Sequence, residues 1–366
     1  MNATTRVLTG FPSGFLATRV LSRLMEDPAP IVCIVPERFM AQAQGWLLAQ
    51  PSEQRARVEL LEGDVCAMDL GLSGREFMDL ARRTRLIHHC AAVTYSGAPL
   101  TMAENVNVVG TREALELALA APGLERLVHW SSTVATWPQG AVAYEDELHE
   151  PPRGRIAITR HRAEKLLLRN RSKVPITVLR PSMLVGDSLT GEAARVEGAT
   201  LLISVLLGAP RDVPLPLPAR ADAPLNVVPL DFVVDAGLSI AAAEESVSRT
   251  FHIVDPNPPT LAEALALFAG LTGRPAPRLF LPNPVTWALM RLPGLERTVH
   301  AQRALLDDLG RGAIYDDRNA HPILSRARVV CPPLRAYADK LVGFVERERR
   351  NSDKPRPSLR VPTATL

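Results

Sequence analysis

Apolar residues in the first half of the chain come in two patterns. Short continuous runs at Arg6–Leu8, Ile31–Val35, Val58–Leu61, Arg85–His88, Arg126–Trp130 and Ile176–Leu179 are rich in β-branched residues and predict strands. Between them, longer stretches at Gly14–Met25, Glu104–Ala120 and Gly154–Leu168 repeat apolar residues every three or four positions and predict helices. Strands that are apolar throughout, rather than at alternate positions, are covered on both faces. Strand, helix, strand at this spacing predicts an α/β fold: a Rossmann-type doubly wound parallel sheet.

Past Pro181 the pattern changes. Pro214, Pro216, Pro218, Pro224 and Pro229 interrupt Arg211–Pro229, which predicts a loop or strand excursion and excludes a long helix. Leu201–Leu207, Leu230–Ala243, Leu261–Leu271 and Leu279–Leu292 read as helices, and Thr250–Val254 as a strand. The expected division is a first domain over 1–180, rejoined by a returning segment at about 226–254. A smaller C-terminal domain occupies mainly 181–346, and 347–366, polar, basic and proline-containing, is expected to be a flexible tail.

Composition narrows the function classes. Of 366 residues, 46% are hydrophobic and 22% charged, which argues against wholesale disorder. The net charge of +3 comes from basic residues scattered among acids, so no nucleic-acid partner is expected. Apolar stretches such as Ala199–Pro210 are too short for a membrane span. Met1–Thr5 runs into the first strand without a basic-then-apolar leader, so a cytoplasmic location is expected. Cys33, Cys66, Cys90 and Cys331 lie far apart and read as free thiols, and no metal site is expected. Adjacent His88 and His89 face opposite sides of a strand and cannot share one metal ion. There are four lysines, none before Lys165.

Thr9-Gly10-Phe11-Pro12-Ser13-Gly14-Phe15-Leu16-Ala17 joins the first strand to the first helix. Glycines here let the backbone approach a pyrophosphate, whose charge meets the free N–H groups of the helix start. The same residues would also serve a plain strand-to-helix turn. Further along, Asp64 and Val65 follow the third strand, where the acid is placed to accept from an adenine amino group. Cys90, Ala91 and Ala92 follow the fourth strand and leave room for a cofactor. Asn107 lies on the next helix, and Ser131-Ser132-Thr133 ends the fifth strand at the carboxyl edge of the sheet.

With these motifs the chain resembles the extended short-chain dehydrogenase/reductase superfamily, in its thioester-reductase and fatty-acyl-CoA-reductase branch. The likeness runs over about residues 5–270. It rests on Leu8–Ala17, Asp69–Leu72, Ile87–Val93, Asn105–Thr111, Arg180–Gly191, Val228–Ala236 and His252–Asp255, and Arg180–Gly191 is its most specific part. The resemblance implies a Rossmann domain that binds NADPH or NADH and a smaller substrate domain. Pro181, Ser182 and Met183 then fall beside the cofactor. One departure is that three residues, not two, separate Gly10 from Gly14. Glu37 and Arg38 follow the second strand: the acid favours a ribose diol and the base a 2′-phosphate. The family leans to NADPH and Glu37 to NADH.

The resemblance also implies a tyrosine and a lysine four residues apart on one helix face, which give a proton and hold the nicotinamide ribose. Thr159 and Ala163-Glu164 set the register, and the two positions fall on Ile156 and Arg160. Ile156 has no proton to give, whereas Arg160 keeps a positive charge and can hold a ribose. Lys165 points to another side. Ser132 is the expected carbonyl-holding hydroxyl, and Tyr95, Tyr144 or His161 are candidate proton donors. Trp137, Trp287 and the helices Leu201–Leu207 and Leu279–Leu292 would line an apolar pocket or simply pack the core. Two functions follow. One is a reductase acting on a small hydrophobic carbonyl or conjugated, enone-like substrate; the other is a nucleotide-binding sensor or scaffold without turnover. A second copy of the chain is the expected protein partner, as a homodimer.

Overall fold

The structure is a computed structural model and describes residues 5–95, 97–138, 141–151, 154–196, 198–208, 220–277 and 312–352. In chain order the strands are β1 (Thr5–Thr9), β2 (Ile31–Val35), β3 (Val58–Glu62), β4 (Thr84–His89), β5 (Arg126–Trp130), β6 (Val142–Ala143), β7 (Ile176–Pro181), β8 (Met183–Val185), β9 (Val227–Pro229), β10 (Thr250–Ile253) and β11 (Ile314–Tyr315). Seven of them form one parallel sheet in the order β10-β7-β5-β4-β1-β2-β3. Every residue of β2, β5 and β7 is buried, as their unbroken apolar runs require.

The helices are α1 (Phe15–Leu24), α2 (Glu37–Leu48), α3 (Ser52–Arg55), α4 (Gly74–Arg83), α5 (Leu100–Ala103), α6 (Gly110–Ala120), α7 (Arg155–Leu168), α8 (Ala199–Gly208), α9 (Leu230–Ala242) and α10 (Leu261–Thr272). Two further helices span Ala320–Ala327 and Ala338–Ser352. One sheet face packs against α1, α9 and Ala320–Ala327, and the other against α4, α6 and α7. From β1 the chain builds outward through β2 and β3, then through β4, β5, β7 and β10 on the other side. The crevice between β1 and β4, outside their carboxyl ends, is where such sheets take ligands.

A separate core joins α8, α10 and Ala338–Ser352, with the short parallel pair β8–β9 beneath. Two C-terminal segments behave differently from expectation. Ala320–Ala327 packs on the large sheet, because Ala320 and Ile323 fill the core beside α9. The helix expected to fray from Arg347 continues to Ser352, with Arg347 and Arg349 donating to the carbonyls of Thr190 and Ser204 at 3.4 and 3.3 Å. The stretch predicted as one helix over Glu104–Ala120 begins at Leu100 and contains a π-turn at Glu104–Val109. Trp287, the predicted helix Leu279–Leu292, residues 211–219 and the tail beyond Ser352 lie outside the described residues.

Candidate active site

The turn after β1 uses its two glycines differently. Gly10 has φ +94°, and a Cβ there would lie 2.8–2.9 Å from the backbone of Cys90 and Ala91. Glycine is needed because the end of β1 lies directly against the end of β4. Gly14 donates to the Gly10 carbonyl at 2.8 Å and sits in extended backbone as the N-cap of α1. No side chain caps that helix. The N–H groups of its first turn are therefore open to an anion. Ala17 is fully buried behind the turn, Pro12 is buried within it, and Ser13 is exposed with its hydroxyl 3.4 Å from the Gly10 carbonyl. Phe15 and Leu16 form the first, half-buried residues of α1.

At the outer strands, Glu37 opens α2 and is exposed, as is Arg38, whose guanidinium lies 5.0 Å over the Phe39 ring. Asp64 accepts from the Cys66 N–H at 2.8 Å, and Val65 is buried beside it. The Cys66 thiol reports the charges nearby. Burial and then Asp64 push it up to about 11, while Arg38 acts in the opposite direction. Arg38 and Asp64 thus both act on the Cys66 thiol.

Two expected cofactor contacts are occupied within the protein. The Thr9 hydroxyl lies 2.9 Å from His89 Nδ1, and His89 Nε2 lies 3.2 Å from the Thr111 hydroxyl. Asn107 accepts from the Val93 N–H at 2.8 Å and donates to the Val93 carbonyl at 3.2 Å and the Thr159 hydroxyl at 2.9 Å. Both of its amide hydrogens are spent, so it ties the β4 loop to α7 and has none for a cofactor. Cys90 and Ala91 are buried and Ala92 half-buried at the β4 end. Pro181 ends β7, and Met183, half-buried, begins β8. Between them the Ser182 hydroxyl is buried with no partner among the described residues.

On β5 and α7 the two adjacent serines diverge. Ser131 donates to Glu164, whose carboxylate also takes Arg180 Nη2 at 2.7 Å and Nε at 2.9 Å in a fully buried pair. Ser132 is half-buried, and among the described residues its hydroxyl only accepts, from the Val134 N–H at 3.4 Å, and donates to none of them. Arg160 is buried, with Nη1 3.4 Å from the Trp130 carbonyl. Burial pulls its pKa down to about 10 and the Glu164 carboxylate acts to raise it, so it stays charged at neutral pH. His161 has Nδ1 3.2 Å from the Ala135 carbonyl, which turns it toward the short helix Thr133–Ala135. Lys165 is exposed on the other side of α7.

Tyr144 is not brought to this group. It is 39% exposed after β6, with the Arg318 guanidinium 4.9 Å over its ring. Trp137 donates its backbone N–H to the His149 carbonyl at 3.0 Å. Two buried groups have no warning in the sequence. His129 stacks on His89 with ring centroids 5.4 Å apart, and neither of its ring nitrogens has a partner among the described residues. Burial pushes the Glu145 carboxyl up to about 8, although it accepts the N–H groups of His252 and Asn319.

These residues fit a nicotinamide dinucleotide. The uncapped start of α1 suits the pyrophosphate, and Ser182 holds a buried hydroxyl without an acceptor among the described residues at the β7 end of the crevice. The seven-stranded sheet with this crevice defines an NAD(P)-binding domain of the extended short-chain dehydrogenase/reductase type. The chain belongs to the NAD-binding family described as male sterility protein, whose model matches residues 8–237.

Among curated proteins it is 27% identical over 269 residues to a linear gramicidin synthase of Brevibacillus parabrevis, covering 69% of this chain and 5% of that protein. It is 30% identical over 278 residues to a glycine betaine reductase of Emericella nidulans, covering 70% and 21%. The chain thus spans a small part of these relatives. A putative fatty acyl-CoA reductase of Drosophila melanogaster is 22% identical over 325 residues, with 75% and 60% covered. In fold it matches the terminal R domain of the myxalamid PKS-NRPS pathway, with TM-score 0.77, 23% identity and 95% and 92% coverage. No helix of the described residues is long and apolar enough to cross a membrane.

Proposed function

We propose that this protein is an NAD(P)H-dependent reductase that acts on a hydrophobic carbonyl or enone-like substrate with Ser132 and Arg160 but without a tyrosine–lysine pair. Bound in the β1–β4 crevice, a reduced nicotinamide supplies the hydride. The observation that carries the reading is the state of Ser132 and Arg160. A hydroxyl that donates to no described residue remains at the carboxyl end of β5 beside the buried Arg160 guanidinium, and a protein that only binds nucleotide has no use for that hydroxyl. Ser132 donates to the substrate oxygen and stabilises the charge that gathers there. Arg160, anchored on the Trp130 carbonyl, offers its other donors to the ribose. A relative named as a putative fatty acyl-CoA reductase supports a hydrophobic carbonyl substrate. The second reading, a nucleotide-binding sensor or scaffold, is favoured by one residue, Ile156, which stands at the proton-donor position.

Single-turnover mixing of NADPH-loaded protein with decanal or trans-cinnamaldehyde separates the two, with loss of reduced-nicotinamide absorbance as the readout. Ser132→Ala is expected to slow the oxidation by ~10²-fold, as for loss of one oxyanion donor, without changing NADPH affinity. Arg160→Ala is expected to weaken NADPH in fluorescence titration as well as to slow turnover. Tight NADPH binding with no oxidation by either carbonyl selects the sensor reading.

Arg38 carries the reading for cofactor preference. It is exposed at the start of α2, directly after β2, so Arg38→Ala is expected to weaken NADPH by about 1.5–3 kcal/mol and NADH hardly at all. Calorimetry that shows equal losses for both cofactors rejects a 2′-phosphate contact.

A further inference from the structure

The absent tyrosine leaves the reaction without its expected proton source on α7, and the structure packs another phenol against the same small cluster as Ile156. Tyr95 lies in the loop after β4. Its ring packs against a small apolar cluster of Val93, Ala98 and Ala103, and Ile156 packs against the same cluster. The loop is tied to α7 at two points. Asn107 clamps both backbone groups of Val93 and also holds Thr159, and Arg155 Nη1 lies 3.5 Å from the Ala98 carbonyl. Tyr95 is thereby held against the start of the helix that carries Ile156 and Arg160.

The state of the phenol matters as much as its place. Among the described residues its hydroxyl has one acceptor, the Met102 sulfur at 3.5 Å. A thioether is a weak acceptor, so turning the proton to a carbonyl oxygen loses little. The ring is half-buried with the Arg195 guanidinium 5.0 Å over its face, which restrains it without using the hydroxyl. The other candidates are engaged elsewhere: His161 faces Ala135 and Tyr144 lies under Arg318.

We propose that Tyr95 is the proton donor of the reduction, replacing from the β4 loop the phenol that Ile156 cannot supply. This rests on the reductase reading above. As the carbonyl carbon gains the hydride from the reduced nicotinamide, the Tyr95 O–H bond breaks and a new O–H bond forms on the substrate oxygen. The phenolate left behind recovers a proton from water. Tyr95 contacts the substrate directly, opposite Ser132, which holds the same oxygen.

Tyr95→Phe removes only the hydroxyl. The expected result is a fall of about 10²–10⁴-fold in the single-turnover rate with decanal, with NADPH affinity unchanged. Adding Ile156→Tyr to the Tyr95→Phe protein is expected to recover at least about tenfold of that loss, which a merely structural role for Tyr95 does not predict. A second readout needs no turnover. With the oxidised dinucleotide bound, the infrared carbonyl stretch of decanal lies at lower frequency in the wild type than in Tyr95→Phe, because one hydrogen bond is lost. A Tyr95→Phe protein with the wild-type rate overturns the assignment. So does one whose rate falls while the stretch stays in place. A wild type that binds NADPH and oxidises none with either decanal or trans-cinnamaldehyde overturns the reductase reading, and the assignment with it.

Discussion

Gly14→Val abolishes dinucleotide binding and leaves the fold standing, whereas Gly10→Ala damages the fold itself. Gly14 has φ −92° and ψ 121°, backbone that any residue adopts. A Cβ there meets the Gly10 carbonyl oxygen at 3.0 Å and the Ala17 Cβ at 3.4 Å, so the turn gives by a few tenths of an ångström. The two methyl groups of valine then stand over the open N–H groups of α1, where the pyrophosphate belongs. The expected loss of NADPH affinity is at least about 100-fold, or ~2.7 kcal/mol, read by calorimetry on protein whose circular dichroism and urea midpoint are near wild type. At Gly10 the φ of +94° is strained for alanine, and the new Cβ presses on Ala91 backbone at 2.8 Å. That strain costs on the order of 1–2 kcal/mol or more of stability, seen as a lower urea midpoint. Wild-type NADPH affinity in Gly14→Val would show that the helix start does not hold the pyrophosphate.

Acid is expected to unfold this protein steeply below pH 6.5. His88, His89, His129 and His252 are all buried, and burial is the first cause of a lowered pKa in each: to about 3 for His88, His129 and His252, and well below the ordinary value for His89. Positive neighbours add to it: Arg160 beside His89 and His129, Arg6 beside His88 and Arg180 beside His252. These imidazoles stay neutral in the fold but take up protons in the unfolded chain once the pH falls below 6.5. Their contribution is therefore present above 6.5 and lost as the pH falls toward 3.

Glu145 works the other way. Its carboxyl is raised to about 8, so its contribution is complete below 4.5 and lost as the pH rises to 8. Between pH 4.5 and 6.5 it offsets one histidine, and unfolding takes up about three protons. The expected slope is roughly 4 kcal/mol per pH unit, against a total stability on the order of 5–15 kcal/mol. Urea titrations across this range measure the slope directly. His129→Phe keeps a ring against His89 and removes two buried nitrogens that have no partner. It is expected to cut the slope by about one proton and to cost no stability at pH 7. An unchanged slope would show that His129 is already charged, or solvated, in the folded protein.

What the amino-acid sequence determined by itself is what short-range geometry controls. Short runs rich in apolar and β-branched residues marked all seven strands of the main sheet, and only the edge strand β3 shows a largely unburied pattern. Ile156 and Arg160 are four residues apart on one helix, and that spacing alone puts them on one face; that they stand where a tyrosine and a lysine are expected is what the family resemblance implies. Tertiary structure decided the rest, because it depends on which distant segments become neighbours. Both glycines of the turn read as pyrophosphate contacts, yet Gly10 is required by the approach of β4, some eighty residues away in the chain. Thr9 and Asn107 read as ligand contacts and became internal ties, because His89, Val93 and Thr159 reach their polar atoms. Tyr144 carries the same phenol as Tyr95, but its loop ends under Arg318 on the surface, whereas Asn107 pins the loop of Tyr95 against α7. Residue type and spacing fix which groups are available. Only the packing of the β4 loop on α7 sets Tyr95 and Ile156 against one apolar cluster, because that contact joins segments some sixty residues apart in the chain.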